Sequence, residues 1–284
     1  MRTFPQCLPC LMDQAVRNLQ RLPESVHEPF LRRCLQFLAG ADYRLSPPQL
    51  ARTVFDLMEE YTGERDPYQE EKAFSNRFVS SMEEELRQLI MHSHDPFVTA
   101  LKLAITGNII DLGVNRDFSH HDLAEEIRRA IELPLSPEAI ERLRQAVDHA
   151  QRILYLADNC GEIVFDKLFL EQLPEERITL AVRGEPVLND VTPRDLAHLS
   201  LPPGLRLIDN GTNYPGTVLQ FCSPEFLECW QQADLIIAKG QGNFETLEGE
   251  NKHIFFLLKA KCTVVARFLG CNLGEPVIHE QVPE

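Results

Sequence analysis

Three short stretches of this chain set carboxylates, amides and single cations where metal and phosphate chemistry needs them. The first, Asp158-Asn159-Cys160-Gly161-Glu162, follows the apolar run RILYLA. A carboxylate beside an amide offers hard oxygen ligands of the kind Mg²⁺ or Mn²⁺ takes. The same residues also read as a helix start, with Asn159 as N-cap and Glu162 as its capping-box partner, which leaves Asp158 unaccounted for. The second, Arg183-Gly184-Glu185-Pro186-Val187-Leu188-Asn189-Asp190, follows ITLAV and adds a cation and another carboxylate. Together they can hold a phosphate and complete a metal site, or form a solvated loop with Asn189-Asp190 as turn or cap residues. The third, Lys239-Gly240-Gln241-Gly242-Asn243-Phe244-Glu245-Thr246, follows DLIIA. An ammonium and two glycines at a helix start let N–H groups converge on an anion. It is not a Walker loop, since the lysine precedes the glycines, and a Gly-rich turn can also be simple turn geometry.

A fourth stretch, Thr106-Gly107-Asn108-Ile109-Ile110-Asp111, carries an amide and a carboxylate three residues apart inside ALKLAITGNIIDLG. If buried, these groups need partners; the sequence by itself favours a helix C-cap at Gly107-Asn108. Cys7 and Cys10 can ligate a soft metal or form a redox pair, but a closed zinc site needs four ligands and no second such pair exists. Structural or pocket-lining thiols are the preferred reading. Cys160 lies inside the first stretch, where packing against a sheet is the simple account. His92, His94, His120 and His121 lack the i, i+4 spacing that puts two imidazoles on one helix face, and read as surface or capping residues.

The elements that must position these residues change character midway. Residues 23–40, 47–63, 68–91, 95–108, 121–132 and 136–150 read as helices, with apolar residues recurring at three and four and Gly at two of the ends. From about residue 151, short apolar runs (RILYLA, ITLAV, LRLID, DLIIA, IFFLLK) alternate with amphipathic stretches (IVFDKLFLEQL, RDLAHL, PEFLECWQQ), the pattern of a parallel sheet covered on both faces. The expected fold is α/β: a helical N-terminal domain, 1–148, packed on a doubly wound, mostly parallel α/β/α sandwich, 149–284, that holds metal and phosphate. In such sheets ligands bind beyond the carboxyl ends of the strands, where the first three stretches fall.

Composition narrows the partners. Of 284 residues, 28 are Lys or Arg and 43 Asp or Glu, a formal net charge of -15 that repels polyanions, so no nucleic acid partner is expected. An acidic protein can still handle phosphate where a metal and a few cations reverse the field locally. No run approaches the roughly 20 apolar residues of a membrane span, and the first residues lack a secretory pattern. Eight scattered cysteines do not form a disulfide scaffold. A cytoplasmic protein with reduced thiols and no membrane partner is expected.

Over nearly its whole length the chain resembles the damage-control phosphatases, whose shared domain has also been proposed to be an acidic-residue methyltransferase. The resemblance lies in four ordered motifs: GNIID at 107–111, DNCGEIVFD at 158–166, VRGEPVLND at 182–190 and KGQGNFETL at 239–247. The pair Cys7-Leu8-Pro9-Cys10 is similar to that of the shorter, mostly prokaryotic branch. Arg183 stands where many relatives have lysine and Asn189 where some have serine; neither difference removes a charge.

The resemblance implies a metal-dependent phosphomonoester hydrolase acting on a small phosphorylated metabolite, such as a sugar phosphate or a damaged cofactor fragment. It implies a divalent ion (Mn²⁺, Mg²⁺, Co²⁺ or Ni²⁺) held by Asp158, Asn159 and Asp190. Arg183 and Lys239 would face the phosphate, with Asn108, Asp111 and Asn243 lining the pocket beside Glu162 and Gly240. Asp158, Asp190 and Lys239 are the catalytic candidates. Two alternatives stand beside this reading. An S-adenosylmethionine-dependent carboxyl methyltransferase calls for a Gly-rich loop after the first strand, where DNCGEIVFD has one glycine. A phosphometabolite sensor would bind without turnover.

Overall fold

A computed structural model describes residues 1–107 and 120–284. The apolar runs of the second half form strands β1 (Ile153–Leu156), β2 (Ile178–Val182), β3 (Arg206–Asp209), β4 (Leu235–Lys239) and β5 (Ile254–Lys259), followed by β6 (Pro276–Gln281). They build one sheet in the order β3-β2-β1-β4-β5-β6. The first five strands are parallel and β6 returns antiparallel along β5.

Alternate residues of each strand face opposite sides of the sheet. One face carries Tyr155, Leu180, Val182, Ile237 and Leu257 into a core shared with Phe97, Leu101, Phe165 and Phe169. The other carries Leu156, Ala181, Ile236 and Phe256 against Phe226, Trp230, Phe244 and Val265. Both faces are therefore dry, as a parallel sheet requires.

Among the described residues the helices are α1 (Cys7–Asn18), α2 (His27–Gly40), α3 (Pro47–Thr62), α4 (Gln69–Ser80), α5 (Glu83–Met91), α6 (Pro96–Thr106), α7 (His120–Glu132), α8 (Pro137–His149), α9 (Glu162–Leu170), α10 (Pro224–Gln232), α11 (Gly240–Leu247) and α12 (Thr263–Leu269). Helices α1 to α3 gather around their own cluster of Phe30, Val54, Phe55 and Met58. Helices α4 to α9 send Val79, Leu86, Ala104, Ile127, Leu143 and Phe165 into the first-face core. The helical half is thus continuous with one layer of the sandwich.

Some elements depart from the sequence reading for identifiable reasons. The pattern over 68–91 divides into α4 and α5, where the Ser81 hydroxyl donates to the Phe78 carbonyl at 2.6 Å and competes with the helix ladder. The stretch RDLAHL yields only a 3₁₀ turn, Pro193–Leu196, capped by Thr192 and Asp195. Helix α1 escaped the reading because Pro9 interrupts its sequence; in a first turn, however, proline gives up no helical hydrogen bond.

Helix α4 is bolted to the sheet by buried polar groups. Lys72, with no side-chain exposure, bonds Asp66 at 3.0 Å and Asp195 at 2.8 Å. Asn76 donates to the Asp195 carbonyl at 3.0 Å and accepts from the Gly161 N–H at 2.6 Å. Replacing Lys72 by Met leaves two nearly buried carboxylates uncompensated, a change that costs about 3–5 kcal/mol. Urea unfolding should show a loss of that size; a loss under about 1 kcal/mol would show that the pair does not anchor α4.

Candidate metal and phosphate site

The sheet order reverses between β1 and β4, so the connections from these strands diverge and leave a crevice beyond their carboxyl ends. Asp158 and Asn159 stand just past β1, Lys239 closes β4, and Arg183 follows β2. Asp190 is distant in sequence, yet its loop folds back onto the end of β1. The Val191 N–H donates to the Asp158 carbonyl and the Cys160 N–H to the Asn189 carbonyl, each at 2.9 Å. This backbone bridge sets Asn159 opposite Asp190.

Glycine makes the crossing at β4 possible. Gly240 has φ 79°, and a Cβ there would lie 1.9 Å from Asp158 Oδ2, so no other residue lets the chain pass this carboxylate. Gly242 serves packing instead: a Cβ would stand 2.6 Å from the Pro215 carbonyl, in the loop that carries Thr217.

Side-chain bonds join the first three stretches into one network. Asn159 Nδ2 donates to Asp158 Oδ2 at 2.8 Å and Glu162 Oε2 at 3.2 Å. Arg183 Nε donates to Asp190 Oδ2 at 2.7 Å, while its Nη atoms reach Thr217 Oγ1 at 3.5 Å and Asn243 Oδ1 at 3.3 Å. Arg183 Nη2 also lies 3.8 Å from Asp158 Oδ1. Asn243 is held by the carbonyls of Ala157 and Lys239 and by the Thr217 hydroxyl. Lys239 Nζ donates to Glu162 Oε1 and Asp166 Oδ1, each at 2.6 Å, and to the Ala104 carbonyl at 2.8 Å. A phosphate oxygen would have to displace one of these acceptors to reach it.

The electrostatics follow from burial. Asp158, Glu162, Asp166 and Asp190 are all under 9% exposed, as are Arg183 and Lys239. Within this buried group four carboxylates stand against two cations, a shortfall of positive charge that Lys261, acting on Asp158, and Lys72, acting on Asp190, relieve from outside it. Burial pushes the Asp158 carboxyl well above the carboxylate range, and the charges of Asp190 and Glu162 push it further. Burial also raises Asp190, against the pull of Arg183. Asp166 rises to about 7, because burial and Glu162 outweigh Lys239. Burial works to lower Lys239, but Asp166 and Glu162 win and raise it.

Among the described residues no three His, Cys, Asp or Glu side chains gather as a metal cluster. Here an amide accompanies the two carboxylates. Both bonds of Asn159 run from its nitrogen, so its carbonyl oxygen can join the carboxylates of Asp158 and Asp190 as a hard donor. This donor chemistry, with the charge deficit, fits one hard divalent ion.

Eight expected site residues are thus brought together: Asp158, Asn159, Glu162, Arg183, Asp190, Lys239, Gly240 and Asn243. Asn108 and Asp111 lie outside the described residues; α6, which precedes them, delivers the Ala104 carbonyl to Lys239. Cys160 is buried in the apolar core and burial raises its thiol, in keeping with a packing role. His92 bonds the Gln88 carbonyl at the end of α5. Four residues went unread: Asp166, Tyr155, Thr217 and Asn76. Asp166 had a signal, since Glu162 and Asp166 form an i, i+4 carboxylate pair in the helix EIVFDKLFL, whose remaining residues are apolar apart from Lys167.

Fold and site together define a doubly wound α/β protein whose strand ends hold a carboxylate-rich, cation-compatible centre. The damage-control phosphatase ARMT1-like domain matches residues 3–277. A damage-control phosphatase of Pyrococcus horikoshii is 34% identical over 284 residues, covering 96% of each chain. One from Archaeoglobus fulgidus is 32% identical over 292 residues, covering 98% of each. The crystal structure of a DUF89 family protein from Pyrococcus horikoshii superposes with a TM-score of 0.89 at 33% identity, covering 99% of both chains. The chain belongs to the ARMT1-like damage-control phosphatase family.

The raised Asp166 carboxyl sets a pH test. The unfolded chain gives up this proton near the ordinary 3.8, the folded chain near 7, so its contribution to stability is full below 3.8 and fades as pH rises to about 7. In chelator, the stability of the wild type relative to Asp166→Asn should fall by about 1.4 kcal/mol per pH unit across that window. A difference that stays flat with pH would mean Asp166 is ionised throughout.

Proposed function

We propose that this protein is a metal-dependent phosphatase that hydrolyses a small phosphorylated metabolite, with Asp158, Asn159 and Asp190 holding a divalent ion, Mn²⁺, Mg²⁺, Co²⁺ or Ni²⁺. The observation that carries the reading is the meeting of the buried Asp158 and Asp190 carboxyls beside the Arg183 guanidinium at the switch point of the sheet. The names of the Pyrococcus and Archaeoglobus relatives support the activity.

A divalent ion at this centre would supply Lewis-acid polarisation of a phosphoryl oxygen. The chain's own residues supply the rest. Arg183 has five N–H hydrogens and places three in its bonds among the described residues, which leaves two beyond these for phosphate oxygens. Asn243, Thr217 and Asp190 fix its plane, so its charge is pre-aimed when negative charge spreads over the equatorial oxygens. The first turn of α11, opening at Gly240, has N–H groups without helical acceptors and a positive dipole end, which favours the same anion. Displacement at phosphorus by water breaks the ester P–O bond, releases phosphate, and passes a water proton to the leaving alcohol; attack by the Asp158 carboxylate would instead leave an aspartyl phosphate, which water then hydrolyses to phosphate and the free carboxylate. The methyl-transfer alternative draws no support here, since the lone glycine of the β1 turn gives its N–H to Asn76.

The test is phosphate release from a panel of sugar phosphates and cofactor fragments by chelator-stripped protein, with each of the four metals restored in turn. Release should require metal and disappear in Asp158→Ala and Asp190→Ala. Arg183→Met should lower kcat/KM by about 10²- to 10³-fold. Release that survives chelation, or full activity in either alanine variant, would sink the proposal.

A further inference from the structure

The two buried cations of the site spend their hydrogens differently. Arg183 retains two N–H hydrogens beyond its bonds among the described residues, whereas the three hydrogens of the Lys239 ammonium are all placed. Both side chains are fully buried, so the difference lies in their hydrogens and not in their exposure. The partners of Lys239 lead toward the other half of the site. Glu162 takes Lys239 on Oε1 and the Asn159 amide on Oε2, and that amide also holds Asp158 Oδ2. On the far side, Asp166 shares its Oδ1 between Lys239 at 2.6 Å and the Tyr155 hydroxyl at 2.8 Å. An unbroken chain therefore runs from Tyr155 in β1 through Asp166, Lys239, Glu162 and Asn159 to Asp158.

We infer that Lys239 is a positioning residue for the cation-binding pair Asp158 and Asn159, with Asp166 and Tyr155 as its supports, and that the substrate phosphate is taken by Arg183. The inference rests on the proposed metal site and assigns these three residues a role within it. Glu162 and Asp166 sit one turn apart on α9, and the ammonium between them ties one oxygen of each at 2.6 Å. With the ammonium in place, Glu162 presents one oxygen to Asn159, and both described bonds of the amide run from its nitrogen, which leaves its carbonyl oxygen for the ion. Loss of Lys239 frees Glu162 and with it the orientation of Asn159. Outer partners of this kind alter metal affinity by about 10- to 100-fold when removed. Asp166 and Tyr155 are 0% exposed and bond no residue of the ligand set directly, so they report on positioning alone.

The test compares Tyr155→Phe, Asp166→Asn and Lys239→Met with the wild type, by Mn²⁺ calorimetry without substrate, by inorganic phosphate binding, and by kcat and KM. All variants should show cation affinity weakened by about tenfold or more and kcat lowered, while KM and phosphate affinity stay within about twofold. Tyr155→Phe keeps the core volume, so the test survives if Lys239→Met fails to fold. Unchanged Mn²⁺ affinity in folded Tyr155→Phe and Asp166→Asn would overturn the inference. So would a Lys239→Met protein that binds Mn²⁺ normally but loses phosphate. Because the calorimetry needs no turnover, a wild type that binds Mn²⁺ yet releases no phosphate would overturn the proposed activity while the variants still decide the role of Lys239.

Discussion

Charge burial without full compensation is the constraint from which the rest of this structure follows. Asp158, Glu162, Asp166 and Asp190 are withdrawn from water at the ends of neighbouring strands, with Arg183 and Lys239 as their buried counterions. An ionised carboxylate in an apolar surrounding either pairs or takes up a proton. Two of the four share one ammonium, and Asp190 and Asp158 share the guanidinium at 2.7 and 3.8 Å. Asp158 is the carboxylate pushed upward by Asp190 and Glu162 on top of its burial. A protein that keeps such an arrangement at its strand ends holds a place ready for added positive charge.

The fold delivers this arrangement through main-chain geometry more than through side-chain reach. Parallel pairing of β1 with both β2 and β4 sets three strand ends side by side. The return of residues 189–191 onto the end of β1 converts a sequence separation of three tens of residues into direct contact. Helix α4 closes the other side by capping the Gly161 N–H with Asn76 and locking the Asp195 turn with Lys72. The helical layer packed on the sandwich is thus part of the wall of the site.

Much of this was legible in the sequence because strand ends are punctuated. Short apolar runs followed at once by Asp158, Arg183 and Lys239 located the crevice, and the alternation of runs with amphipathic stretches gave the layers. What stayed hidden depends on long-range contact. Asn76 and Lys72 lie on an amphipathic helix whose pattern looks like a solvated face, and only docking against Gly161 and Asp195 gives them partners. Tyr155 reads as one more apolar strand residue until its hydroxyl meets Asp166. Lys239 was visible, but sequence cannot count how many of its hydrogens the protein itself consumes.

The most direct test of the account is titration of Mn²⁺ into chelator-stripped protein near neutral pH, repeated in buffers of different ionisation enthalpy. The account predicts one ion per chain, bound with proton release from the Asp158 carboxyl, which burial raises well above the carboxylate range, and loss of that binding when Asp158 and Asp190 both become Asn. Binding that releases no proton, or affinity that survives the double substitution, would contradict it.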